Sequence, residues 1–147
     1  MSATTRRLFL WIGLITLARL AFAALMPLTD DEAYYRLWSQ HLALGYFDHP
    51  PLVAWAIRLG TSLLGDNGLG VRLSAVLASG ATSLVLYDLA KRLGLTEATA
   101  ARAALWYSAT LMIAVGAILS TPDAFATLFW VATLWCLAAV FEPGREH

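Results

Sequence analysis

Two short acidic motifs in this sequence have the form of a helix start, and both could do chemistry. Thr29-Asp30-Asp31-Glu32 matches a capping box, in which Thr accepts from the N3 amide and Glu reaches back to the cap amide. Ser120-Thr121-Pro122-Asp123 combines a cap residue with Pro and an acid in the first turn. Helix N-termini favour anions, and an ionised carboxylate such as Asp31 or Asp123 can act as a base or hold a cation. The simpler interpretation, that both acids only cap their helices, stays open at this point.

The composition is that of a membrane protein. Hydrophobic residues make up 59% of the chain and charged residues 14%, against roughly 45–50% and about 25% in soluble domains. A soluble domain of this length has too small an interior for so many apolar side chains, so lipid must cover the excess. The net charge is zero, which gives no indication of a nucleic-acid partner. The single cysteine, Cys136, excludes an internal disulfide.

Four apolar segments have about the length needed to cross a bilayer. They cover about residues 8–26, 69–90, 98–119 and 124–141, and roughly 20 residues span a hydrocarbon core about 30 Å thick. In lipid the backbone must satisfy its own hydrogen bonds, so these segments are expected to be helices. We therefore predict an all-α integral membrane protein, with one membrane domain over residues 1–147 and about four transmembrane helices.

The first apolar segment has a second interpretation. Arg6 and Arg7, the apolar core and Ala21-Phe22-Ala23 are also typical of a secretory signal with a small-residue cleavage site. Arg19 interrupts that core, and a polytopic protein needs no removable signal, so we favour a retained anchor. Arg19 itself is expected to snorkel to the interface or to pair with an acid of the next loop.

The basic residues orient the predicted helices. They flank the N-terminus, the connection between the second and third segments, and the C-terminus: Arg6, Arg7, Lys91, Arg92 and Arg145. The positive-inside rule makes these three places cytoplasmic and puts residues 27–68 and 120–123 outside. Six of the ten acidic residues then lie on the outer face: Asp30, Asp31, Glu32, Asp48, Asp66 and Asp123.

The first outer loop is expected to contain two interfacial helices. Residues Ala33–Leu44 continue from the capping box with an aromatic-rich stripe, and Gly45 ends this helix. Pro50-Pro51 forces an extended turn, after which Leu52–Leu64 reads as a second helix. Helices rich in Trp and Tyr beside membrane spans are typical of the membrane interface.

A different class of protein remains open. The chain could be a non-catalytic membrane subunit, or a small transporter-like protein whose outer acids bind a cation or a partner. Charged residues within the spans, namely Arg19, Asp88 and Arg102, would then mark a pathway. All three lie near predicted helix ends, where snorkelling costs little. Site chemistry, rather than fold, has to decide between the classes.

Four motifs together resemble a known enzyme family. In chain order they are Asp31-Glu32-Ala33-Tyr34-Tyr35, Tyr46-Phe47-Asp48-His49-Pro50-Pro51-Leu52, Gly68-Leu69-Gly70-Val71-Arg72 and Thr121-Pro122-Asp123-Ala124. Their order and spacing are similar to the start of the polyprenyl-phosphate-sugar-dependent glycosyltransferases. These include the bacterial aminoarabinose transferases that modify lipid A and the dolichyl-phosphate-mannose protein mannosyltransferases. The resemblance implies the glycosyltransferase-C architecture, with many membrane helices and an active site under the first long outer loop.

The resemblance also implies an activity. It is the transfer of a sugar from a polyprenyl-phosphate donor to a lipid or protein acceptor, with inversion, at the extracytoplasmic face of a bacterial inner membrane. Members of the family have more spans than this chain, so the 147 residues are expected to be the N-terminal part of a larger transferase. Alone they are expected to be inactive, because half a cavity cannot exclude water or hold a polyprenyl chain.

The resemblance assigns catalytic, metal-binding and phosphate-binding roles to particular residues. It implies that Asp31 is the base or the acceptor-positioning carboxylate, and that Asp123 is the second acid. Asp48 matches an acidic position that in aminoarabinose transferases is associated with a bound divalent metal ion. His49 stands where those transferases carry a lysine that contacts the donor phosphate, so phosphate contact and sugar specificity need not be the same here.

Three further residues are implied to bind substrate. Arg72 matches a basic residue at the outer end of the second span and could contact phosphate, although ordinary interfacial snorkelling explains it equally well. Glu32 and Tyr35, which follow Asp31 in the first motif, complete the predicted substrate-binding set.

Overall fold

The computed structural model describes residues 1–141, and over that range the chain forms helices and no strands. The helices are α1 (Ala3–Leu25), α2 (Asp30–Gln40), α3 (Leu52–Leu64), α4 (Gly68–Arg92), α5 (Glu97–Ala109), α6 (Leu111–Gly116) and α7 (Pro122–Val140). Of these, α1, α4 and α7 are long and apolar enough to cross a membrane. The prediction of an all-α integral membrane protein is therefore confirmed, while Arg145 and the other residues after Phe141 lie outside the described range.

The central helix is α4, which packs against α1, α3, α5 and α7. Its buried positions are mostly small residues, and small residues allow neighbouring helices to approach closely. The closest approach joins α3 to α4, where a Cβ atom added to Gly60 would lie 2.2 Å from the carbonyl oxygen of Gly70. Larger side chains at these two positions would force α3 away from α4.

The third predicted span is interrupted. A continuous helix over residues 98–119 was expected, but the backbone is extended at Thr110 (φ −61°, ψ 139°), which separates α5 from α6. The prediction of one unbroken helix is wrong because a buried side chain binds carbonyls at the break. Nη2 of Arg19 donates to the carbonyls of Ser108 and Ile113, each at 3.1 Å, and Nη1 donates to Ser79 Oγ at 3.0 Å. Arg19 therefore neither snorkels nor pairs with a loop acid.

The interrupted segment nevertheless leads from one end of the helix bundle to the other. Near its start, Glu97 accepts hydrogen bonds from Ser2 and Thr5 at the beginning of α1. After its end, the amide of Ser120 donates to Glu32 Oε1 at 3.0 Å. Hence α2 and α7 begin at the same end of the bundle, which we call the Glu32 end, as the sequence predicts for the two acidic motifs.

The two helices of the first loop are present, with one altered boundary. The capping box is confirmed, since Thr29 Oγ1 accepts from the Glu32 amide (3.4 Å) and Glu32 Oε2 accepts from the Thr29 amide (3.0 Å). However, α2 ends at Gln40 rather than Leu44, because the Tyr46 hydroxyl folds back and donates to the carbonyl of Trp38 at 3.0 Å. The second helix, Leu52–Leu64, has the predicted bounds.

Candidate active site

An aromatic cluster lies on α2 at the Glu32 end of the bundle. Tyr46 stacks on Trp38 with ring centroids 4.4 Å apart and planes 2° from parallel. The Pro50-Pro51 turn brings His49 back against the same helix, so its ring meets Tyr35 at 5.5 Å and Trp38 at 6.1 Å, both edge-on. Tyr35 and Trp38 are buried, whereas Tyr46 and His49 are half-buried and remain accessible.

Three carboxylates act electrostatically on the Tyr35 hydroxyl of this cluster. Burial raises the pKa of Tyr35, and the negative charges of Asp31, Asp48 and Asp123 raise that pKa further. The three acids therefore lie within electrostatic reach of one hydroxyl, although they come from α2, the α2–α3 connection and α7. All three side chains are exposed, so a ligand could reach them. The Ser120–Glu32 hydrogen bond thus places Asp31 and Asp123 at the same end of the bundle.

A cleft of about 380 Å³ opens beside Asp123. Its walls come from α4, α5, α6 and the first turns of α7, including Ser79, Tyr107 and Thr127. Asp31, Tyr35, Asp48 and His49 do not line this cleft. The resemblance implies one active site that contains both Asp31 and Asp123, but in residues 1–141 only Asp123 lines this cleft, and Asp31 and the aromatic cluster lie outside it.

The guanidinium group of Arg72 is hydrogen-bonded within the protein and is not accessible to a substrate. Its side chain is 1% exposed, and all five guanidinium N–H groups are bonded. Nε and Nη2 donate to the two Glu32 oxygens at 2.7 and 2.6 Å, and the other three N–H groups donate to the carbonyls of Ala23, Met26 and Pro27. No N–H group remains for a phosphate, contrary to the interpretation of Arg72 as a substrate-binding residue.

Glu32 is likewise inaccessible, with a relative exposure of 0%. Burial alone would raise its pKa, but hydrogen bonds from Arg72, Thr29 and Ser120 outweigh burial and lower the pKa below its ordinary value. The predicted role of Glu32 as a substrate contact is therefore not supported by its position. The capping box indicated Glu32 in the sequence, but that motif explains only the bond to Thr29 and gives no signal for Arg72 or Ser120.

A metal site at Asp48 is not completed by its surroundings. Within residues 1–141, no group of three or more His, Cys, Asp or Glu side chains is placed to hold a metal ion. Asp48 could supply a single oxygen ligand, so the part of the chain described here does not fit the implied divalent ion.

Comparison with known proteins decides the family. Residues 48–147 match the family described as dolichyl-phosphate-mannose-protein mannosyltransferase. The chain belongs to this family. The match includes Asp48, His49, Arg72 and Asp123, whereas Asp31 precedes it.

Curated relatives of this mannosyltransferase-family chain cover the earlier residues as well. It is 30% identical, over 88% of its length, to the undecaprenyl phosphate-alpha-4-amino-4-deoxy-L-arabinose arabinosyl transferase 2 of Pseudomonas fluorescens. It is 33% identical, over 73% of its length, to the corresponding transferase of Pseudomonas paraeruginosa. A shorter alignment of 63 residues, 42% of the chain, is 49% identical to the lipid A galacturonosyltransferase RgtD of Rhizobium johnstonii.

These relatives are much longer than the chain. It spans 25%, 23% and 13% of their respective lengths. No solved structure matches the chain significantly. The first of these alignments covers 88% of the chain. The residues outside it are fewer than those before Asp31 or after Asp123, so both carboxylates lie in the part shared with an arabinosyl transferase.

Proposed function

We propose that the protein is a membrane glycosyltransferase that moves a sugar from a polyprenyl-phosphate donor to a hydroxyl of a lipid acceptor. The observation that carries the proposal is that the Ser120–Glu32 hydrogen bond brings the starts of α2 and α7, and with them Asp31 and Asp123, to one end of a bundle of membrane helices. The activities of its relatives support it, since these are named as undecaprenyl-phosphate-sugar and lipid A transferases.

The proposed reaction assigns separate tasks to these residues. Asp31 takes the proton from the acceptor hydroxyl, whose oxygen attacks the anomeric carbon of the donor sugar. The bond between that carbon and the phosphate oxygen breaks, so polyprenyl phosphate leaves and the configuration is inverted. Asp123, in the first turn of α7, orients the acceptor.

The leaving phosphate needs a positive or dipolar partner. Arg72 has no free N–H group, so His49 is the candidate that we assign among residues 1–141. Its ring is half-buried beside Tyr35 and can donate one hydrogen bond to a phosphate oxygen.

A donor assay tests the proposed function. We expect the full-length protein in proteoliposomes to transfer sugar from an undecaprenyl-phosphate-linked donor to lipid A. Donors carrying aminoarabinose, galacturonic acid or mannose, compared at equal concentration, would identify the sugar. Matched nucleotide sugars serve as the control. Transfer from a nucleotide sugar and from none of the lipid-linked donors would overturn the proposal.

We also propose that the Glu32 end of the bundle faces away from the cytoplasm. The basic residues Arg6, Arg7, Lys91 and Arg92 lie near the opposite end, which the positive-inside rule makes cytoplasmic. In a Cys136→Ala background, an impermeant thiol reagent applied to intact cells is expected to label Asn67→Cys but not Thr96→Cys. Labelling of Thr96→Cys alone would reverse the orientation.

The transporter-like alternative gains no support from the charged residues within the spans. Arg19 bonds to carbonyls at the α5–α6 break, as described above. Asp88 Oδ2 accepts from Trp135 Nε1 at 2.7 Å and from Arg92 Nε at 2.9 Å. Both side chains make contacts within and between the helices.

A further inference from the structure

We propose that the buried Glu32–Arg72 ion pair is a positioning element that holds Asp31 and Asp123 in one site. The structural part of this inference stands on the geometry alone, and its kinetic part rests on the proposed function. Glu32 and Arg72 are positioning residues in this account, since neither is accessible to a substrate.

The pair ties together four helices at the Glu32 end. Arg72 belongs to α4 and binds the carbonyls of Ala23 and Met26 at the end of α1, together with that of Pro27. Glu32 belongs to α2 and accepts from the amide of Ser120 in the connection to α7. The ends of α1, α2, α4 and α7 are therefore fixed relative to one another by a single pair of side chains.

The bonds lie next to the carboxylates that they would position. Glu32 is the chain neighbour of Asp31, and Ser120 precedes Asp123 by three residues. The connection between Ser120 and α7 is short and contains Pro122, which restricts the backbone. A displacement of the Ser120 amide from Glu32 would therefore also displace Asp123 from Asp31.

A carboxylate is specifically required at position 32. Its two oxygens accept from Thr29, Arg72 and Ser120, and every partner is a donor. A glutamine has one oxygen and one NH2 group, so its NH2 group would face at least one of these donors. Glu32→Gln is thus nearly isosteric but cannot keep all the bonds.

Ser120 offers a matched control. Its amide bonds to Glu32, but its hydroxyl is buried with no hydrogen-bond partner in the described part of the chain. Ser120→Ala retains the amide and removes only the hydroxyl. It should therefore leave the link between α2 and α7 unchanged.

The test measures a distance and a rate in the same full-length variants. Spin labels on Asp30→Cys and Ala126→Cys, both exposed positions, report the separation of α2 and α7 in a Cys136→Ala background. We expect Glu32→Gln to broaden the distance distribution and, in the unlabelled protein, to lower kcat by about 10²-fold, the cost typical of a 1 Å misplacement. The donor KM should change little, and Ser120→Ala should change neither quantity.

The possible outcomes are distinct. An unchanged distance with normal kcat in Glu32→Gln overturns the inference, and an unchanged distance with low kcat overturns positioning in favour of a direct chemical role. If Glu32→Gln does not fold, Glu32→Asp replaces it, because the shorter acid cannot reach both Arg72 and Ser120. A wild-type distance and rate in Glu32→Asp would then refute the inference. If the wild type transfers no sugar at all, the proposed function fails, while the distance measurement still decides the positioning.

Discussion

Replacing Arg72 by Met is expected to cost about 3–5 kcal/mol of folding free energy, the penalty typical of removing one partner from a buried ion pair. The Glu32 carboxylate, with 0% exposure, would lose its counter-ion. The three carbonyls at and after the end of α1 would lose their donors as well. The measurement is equilibrium unfolding of the purified protein in detergent. Arg58→Met, at an exposed position on α3, is the control and should cost little. Equal stability of the two variants would contradict the assignment of Arg72 as a buried clamp.

The Glu32–Arg72 ion pair is also expected to make the free energy of unfolding depend on pH. The pKa of Glu32 is lowered in the folded protein from an ordinary value of 4.5, so the unfolded state binds a proton first as the pH falls. The stability that Glu32 contributes is complete above that ordinary value and is lost as the pH falls through the lowered folded pKa. In Arg72→Met the loss of stability that comes from protonating Glu32 should disappear, because Arg72 makes the largest of the interactions that lower the pKa of Glu32.

Local features of the site were predictable from the sequence because they rest on short-range chemistry. The capping box at Thr29 and Glu32 needs only four consecutive residues, and Leu52–Leu64 follows from the proline pair before it and the turn after it. The number of apolar segments and the positions of the basic residues predict that α2 and α7 begin at the same end of the bundle. This prediction does not depend on how any side chain packs.

The predictions that differ from the structure depend on contacts between distant residues. Arg72 and Glu32 are 40 positions apart, and no spacing rule pairs them, so the sequence leaves phosphate contact and interfacial snorkelling as the two interpretations of Arg72. The break at Thr110 has no glycine or proline to mark it, since what stabilises it is Arg19, 89 positions before Ser108. Tyr46 shortens α2 in a similar way, by folding back to the carbonyl of Trp38.

The second large effect is expected at Asp31. Asp31→Asn keeps the size of the side chain and its ability to accept a hydrogen bond at the helix start, but an amide cannot serve as a base at neutral pH. If Asp31 removes the acceptor proton, the transfer rate should fall by about 10²–10⁴-fold, the usual contribution of a general base. Membrane insertion and folding should be unaffected, because Asp31 is exposed and the capping bonds are made by Thr29 and Glu32.

Asp30 provides the matched control for the central claim, since it is the preceding residue in the same helix turn and is also exposed. Asp31 contributes to the negative field that raises the pKa of Tyr35. The decisive measurement is the single-turnover rate of sugar transfer from a polyprenyl-phosphate donor, made on the full-length wild type, Asp31→Asn and Asp30→Asn in proteoliposomes. A site built around Asp31, Tyr35 and Asp123 predicts near-complete loss in Asp31→Asn and a normal rate in Asp30→Asn. Near-normal transfer by Asp31→Asn, or equal losses in both variants, would contradict it.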